Sequence, residues 1–174
     1  MKVRNNNVLS DAPIFIIGFM GAGKTTVGRE LARHLGYRFI DLDEQIVEKI
    51  GKSIREIFSE LGEAEFRKLE SAAIHSCSDL DRSVVALGGG AYVKDENRML
   101  VRAIGKSVWL DCPFETCLER ISGDKSRPLL SNVDDMKVLF DQRRSAYAQA
   151  DYRVQTSSRS PESLVVEIIT LLQG

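Results

Sequence analysis

A surplus of charge of either sign is what this chain most lacks. Its 24 basic and 25 acidic residues leave a formal net charge of −1, which removes any global pull toward nucleic acid or an acidic membrane. Long hydrophobic runs are missing too, and nothing approaches the roughly 20 apolar residues of a membrane-spanning helix. Residues 1–12 contain Lys2 and Arg4 but no apolar segment behind them. They read as a polar lead-in, and no secretory signal is expected. Cysteine is scarce and odd in number: Cys77, Cys112 and Cys117 have no metal-ligand spacing with the two histidines, His34 and His75. Structural thiols explain them better than a zinc or disulfide site, and a reducing cytoplasm suits such thiols. No repeat, linker or low-complexity tract divides the 174 residues. The expectation is one domain, 1–174, with a real core, and a monomer.

What is present is a loop for phosphate. Ile14-Phe15-Ile16-Ile17 is an apolar run with the length of a strand buried on both faces; it breaks at Gly18, and a helical pattern opens at about Lys24. Between them Gly18-Phe19-Met20-Gly21-Ala22-Gly23-Lys24-Thr25 satisfies G-x-x-x-x-G-K-[ST] at every fixed position. A phosphate chain concentrates negative charge, so the backbone must offer N–H groups at close range. Gly21 and Gly23 allow the dihedrals this needs, Ala22 is too small to intrude, and the following helix turns its N-terminus to the same place. Lys24 can reach the β- and γ-phosphates, Thr25 suits a magnesium ion, and Thr26 belongs to the same set. The chain is expected to bind a nucleoside triphosphate.

Apolar spacing predicts helices over 24–35, 43–50, 53–61, 63–77, 95–103, 114–121, 133–150 and 161–172, with Ser53-Ile54-Arg55-Glu56 as a capping box. Strands are expected at 14–17, 38–41, 84–87, 107–110 and 152–156. The alternation predicts an α/β fold, a five-stranded parallel sheet between two helical layers. Residues 122–132 have no apolar period and read as a connection or a moving lid.

The carboxyl ends of such strands are where ligands bind. The second strand ends in Asp41-Leu42-Asp43: one acid could orient magnesium-bound water and the other accept a proton from an alcohol, while Asp43 equally suits a helix cap. The third ends in Gly88-Gly89-Gly90, costly in entropy unless the backbone must approach something or turn tightly. It lacks a Walker-B acid, and Asp41 is the obvious supplier. Arg67 has Glu63 and Glu70 at helical spacing, which a solvated, salt-bridged face explains. Arg127 precedes Pro128 in the irregular segment, where an arginine finger would contribute about 10³–10⁵ in rate. Arg143 and Arg144 equally suit a helix face toward water.

Together these residues resemble the shikimate kinase family, of the nucleoside monophosphate kinase-like branch of P-loop folds. The likeness runs through the loop, Phe39-Ile40-Asp41-Leu42-Asp43, the helix Gly62-Glu63-Ala64-Glu65-Phe66-Arg67-Lys68-Leu69-Glu70, the strand end Val85-Ala86-Leu87-Gly88-Gly89-Gly90, Arg127-Pro128-Leu129-Leu130, and Arg143-x-x-x-Tyr147. The resemblance implies transfer of the γ-phosphoryl of ATP to the 3-hydroxyl of shikimate, with Mg²⁺, by a P-loop domain with a mobile lid at about 122–134 and substrate helices at about 43–77. Asp43 would bind the ring hydroxyls and act as general base, Arg67 and Arg143 would hold the carboxylate, and Gly88, Gly89 and Gly90 would pack on the ring. Lys24 and Arg127 would stabilise the moving phosphoryl group, Thr25 and Asp41 would hold magnesium, and Arg120 and Arg159 would flank the adenine.

A gluconate kinase of the same fold is the nearest rival, though the acid pair with the G-E-x-x-F-R helix favours shikimate. A nucleoside monophosphate kinase would need a segment to hold a second base, and none is evident. A kinase-like binding protein that has lost catalysis is disfavoured by the presence of Lys24, Asp43, Arg67 and Arg127.

Overall fold

The computed structural model describes residues 9–122 and 132–174. The apolar run becomes strand β1 (Ile14–Ile17), and every residue of it is buried. Helix α1 (Lys24–Leu35) follows and ends at Gly36, whose φ of 66° closes the helix through bonds to the carbonyls of Ala32 and Arg33. Then come β2 (Arg38–Asp41), α2 (Leu42–Ile50), α3 (Ile54–His75), β3 (Ser83–Ala86), α4 (Asp95–Ile104), β4 (Lys106–Asp111), α5 (Phe114–Ile121), α6 (Val133–Tyr147), β5 (Tyr152–Gln155) and α7 (Pro161–Gln173).

Several ends shift from the sequence reading, α6 for instance stopping at Tyr147 and not at residue 150, and two of the differences have a local reason. Helix α2 starts at Leu42 because Asp41, not Asp43, is its cap: the Asp41 side chain accepts from the N–H groups of Asp43 and Glu44. The helices expected at 53–61 and 63–77 run on as α3, interrupted by Gly62 at φ 82°, ψ 167°. The Ser53–Glu56 capping box is formed as read.

The strands form one five-stranded sheet in the order β2-β3-β1-β4-β5, and every pairing is parallel. Helices pack around it, α1 with α7 and α3 with α4, giving the three-layer α/β/α arrangement. Register matters more than order. Ile16 pairs with Ala86, and Asp41 pairs with the same Ala86, so the phosphate loop, the glycine triplet and Asp41 all emerge at one level of one edge. The main core covers both faces of β1, with Phe15, Ile16, Leu31, Val84, Leu110 and Ile168 essentially inaccessible. Each such side chain stabilises the fold by about 1.5–3 kcal/mol. A second, smaller cluster of Ile46, Ile57 and Phe66 joins α2 to α3.

Gly62 tests the break in α3. Only glycine adopts its dihedrals readily, so Gly62→Ala is expected to lose about 1–3 kcal/mol, read as a lower urea midpoint at unchanged slope.

Candidate active site

The loop after β1 is shaped by what lies beneath it. Gly21 sits at φ +75°, and a Cβ there would lie 2.7 Å from the carbonyl oxygen of Cys117, so α5 packs directly under the loop. Gly23 caps α1 with no side-chain hydrogen bond, and the first turn of α1 carries no acid. Its leading N–H groups and partial positive charge are thus left for an anion. Lys24 Nζ donates to the carbonyls of Gly18 and Phe19, both at 3.0 Å, which holds the ammonium over the loop. Arg120 Nη1 donates to the Gly21 carbonyl at 3.0 Å and lies 3.9 Å from Cys112 Sγ. All three cysteines are buried thiols. Burial raises the pKa of Cys77 to about 11, whereas a hydrogen bond from Cys117 lowers that of Cys112.

Two clefts meet at this edge. The smaller, about 160 Å³, is lined by Gly21, Gly23, Lys24, Thr25, Thr26, Asp41 and Asp43. The larger, about 390 Å³, holds Asp43, Arg67, Glu70, Gly88, Gly89, Gly90 and Arg143, with Met20, Val47, Ile54, Phe58 and Phe66 as its apolar wall. Thr25, Asp41 and Asp43 line both. At that border Thr25 Oγ1 donates to Asp41 Oδ2 at 2.9 Å, while Oδ1 of the same carboxylate accepts from Asp43 N at 3.0 Å. One aspartate therefore both caps α2 and faces the phosphate loop.

Close approach explains the glycine triplet. A Cβ on Gly90 would fall 2.6 Å from Arg67 Cζ, and one on Gly88 would fall 2.6 Å from Glu70 Oε1 and 2.7 Å from Asp43 Oδ1. Any side chain there would push the charged groups off the sheet. The Tyr147 hydroxyl donates to the Gly89 carbonyl, and burial pushes that phenol up to about 12.

Arg67 Nη1 donates to Glu70 Oε2 at 2.6 Å and Nη2 to Glu63 Oε1 at 2.9 Å. The solvated face read from the sequence is half right. Glu63 is exposed, whereas Glu70 is 3% exposed and faces the cleft. Burial works against the Arg67 charge, but the carboxylates outweigh it and raise its pKa. Burial dominates at Glu70 and lifts its carboxyl to about 6, against the pull of Arg67. Arg143 does not face water: it is 6% exposed, with its guanidinium 5.8 Å from the Phe19 ring.

Of the predicted site residues, the structure thus assembles the loop, Asp41, Asp43, Arg67, the three glycines, Arg120 and Arg143. Arg159, in the segment between β5 and α7, pairs with Glu167 and donates to the Ser163 carbonyl at 2.9 Å. Arg127 lies outside the described residues. Sequence reasoning passed over Glu70 as a site residue, although its place one helical turn from Arg67 was visible.

Strand order and loop position are those of P-loop kinases of the nucleoside monophosphate kinase type. A gluconokinase from Sinorhizobium meliloti shares the fold, with a TM-score of 0.66 at 17% identity over 95% of this chain and 93% of that one. A shikimate kinase family model matches residues 20–173. Shikimate kinases from Geobacter sulfurreducens and Persephonella marina are 47% and 45% identical, over 92% and 90% of this chain and 90% and 96% of theirs. The structure of shikimate kinase from Acinetobacter baumannii in complex with shikimate superposes with a TM-score of 0.89 at 36% identity, over 92% of both chains. The chain belongs to the shikimate kinase family and is an ATP-dependent kinase.

Glu70 makes a pH-dependent contribution to stability. Its folded pKa of about 6 stands above the ordinary 4.5, so protonation favours the fold. That contribution is complete below about pH 4.5 and fades as the pH rises through about 6, a change of roughly 2 kcal/mol. Urea melts from pH 4 to 7 should show this component in the wild type and not in Glu70→Gln.

Proposed function

We propose that the two clefts divide one reaction between them: ATP lies along the loop, shikimate fills the acid-and-arginine cleft, and the γ-phosphoryl group passes to the 3-hydroxyl at their border. The observation that carries this reading is that Thr25, Asp41 and Asp43 line both clefts, so a phosphate end and an alcohol can meet beside a carboxylate.

Backbone N–H groups of Gly21, Ala22 and Gly23, the start of α1 with Thr26, and Lys24 receive the phosphates. Lys24 gives up its loop carbonyls for phosphate oxygens. Thr25 and Asp41 offer hard oxygen donors 2.9 Å apart, a set that fits Mg²⁺, which takes few protein ligands beside phosphates and water. Bound there, the ion would neutralise charge on the β- and γ-phosphates. Arg67 and Arg143 take the substrate carboxylate, and two guanidiniums give it an orientation that lysines would not. Gly88, Gly89 and Gly90 let the ring lie close to the backbone. Asp43 binds the ring hydroxyls and accepts the proton of the attacking one. Positioning and electrostatics supply most of the catalysis in such transfers.

Arg127 at the moving phosphoryl, Arg120 and Arg159 beside the adenine, and a lid over 122–134 complete the assignment. Late closure of that lid would keep water from competing. The whole chain, 1–174, acts as one domain whose substrate helices lie in 43–77. Among the described residues no helix is long and apolar enough to cross a membrane. The three buried thiols suit a reducing cytoplasm, and the balanced charge suits a monomer.

A coupled assay of ADP release tests the reading. Shikimate should support turnover and gluconate should not, with ADP release in the absence of shikimate far slower. Asp43→Asn should lower kcat by on the order of 10²–10⁴ while ATP affinity holds. Full activity in that variant would refute Asp43 as the base.

A further inference from the structure

Helix α6 sends Arg143 into the acid cleft, but the next residue reaches the other way. Arg144 Nη1 donates to Asp111 Oδ1 at 2.8 Å and Nη2 to Oδ2 at 3.5 Å, and Arg153 of β5 donates Nε to Asp111 Oδ2 at 2.9 Å. Asp111 ends β4 and is 8% exposed. A carboxylate so buried is costly unless paired; here two guanidiniums pair it, and both also lie against Trp109, 5.1 and 4.9 Å from its ring. Arg144 stands 5.5 Å from Phe140. Phe140 meets Phe19 edge-on at 5.1 Å, and Phe19 carries the Arg143 guanidinium. A run of direct contacts therefore leads from Asp111 to the cleft.

Successive residues on a helix diverge by roughly 100°. A Cβ on Gly89 would lie 3.1 Å from Arg143 Nη1, and a rotation of α6 that released Arg144 from Asp111 would turn Arg143 away from that glycine. We propose that Asp111 is a positioning residue: through Arg144 it sets the rotation of α6 and thereby directs Arg143 at the substrate carboxylate. Arg153 balances the same carboxylate from the sheet and has no part in that orientation. The inference rests on the reading that Arg143 binds the carboxylate of shikimate.

Steady-state kinetics on the full chain test it. Arg144→Ala and Asp111→Asn should each raise the KM for shikimate about tenfold, with kcat and the KM for ATP held within about twofold. The double variant should be no worse than either single one, Arg144→Lys should recover part of the loss, and Arg153→Ala should leave the shikimate KM unchanged. If Asp111→Asn fails to fold, Arg144→Ala decides, because Arg144 is partly exposed. A normal shikimate KM in Arg144→Ala overturns the proposal, as does an equal rise in Arg153→Ala or a parallel loss in all three parameters. Arg143→Ala separates the layers. If it raises the shikimate KM and Arg144→Ala does not, the positioning role alone is wrong; if it does not, the carboxylate assignment fails and the positioning role with it.

Discussion

Parallel pairing of β1 with β3 is the contact on which the site depends. It brings the loop that follows Ile17 level with the glycines that follow Leu87, and Leu87 N donates to Ile16 O at 3.1 Å. Asp41 on β2 joins the same edge through its pairing with Ala86. A one-residue slip would invert every side chain of a strand, and β1 is buried on both faces, so the core enforces the register. The phosphate loop, the glycine triplet and Asp41 take their places from that alignment.

On this frame the protein meets two electrostatic demands at once. Phosphate needs positive potential without bulky side chains, which the uncapped start of α1 and the loop backbone supply. An organic acid needs fixed cations, yet a buried guanidinium must not be left alone. Glu70 meets that need by pairing Arg67 from beneath, at a cost that shows as its own raised pKa. Glycines at 88 and 90 let these charges lie against the sheet. The triplet, which suits a tight turn in one dimension, is a recess for charged groups in three.

Local rules carried much of the fold. Capping by Ser53 and Glu56, the stop at Gly36 and the strand lengths follow from short-range chemistry, and each element has its expected type. The misreadings fall where neighbours along the chain could not decide. Asp41 and Asp43 are equally suited to capping by residue type, and only the chain path chose Asp41. Glu63 and Glu70 look alike as helical partners of Arg67, but one faces solvent and the other the cleft. Arg144 looked like a surface residue because nothing in its neighbourhood along the chain announces Asp111.

By itself the sequence determined the phosphate loop, the alternation of strands and helices, and the order of motifs that marks the family, since these depend on residues a few positions apart. Tertiary structure alone decided which acid is buried, how the clefts meet at Thr25, Asp41 and Asp43, and how one aspartate at the end of β4 gathers arginines from α6 and β5. Burial and convergence belong to residues far apart in the chain, and only packing sets the desolvation and distances that give a charged group its role.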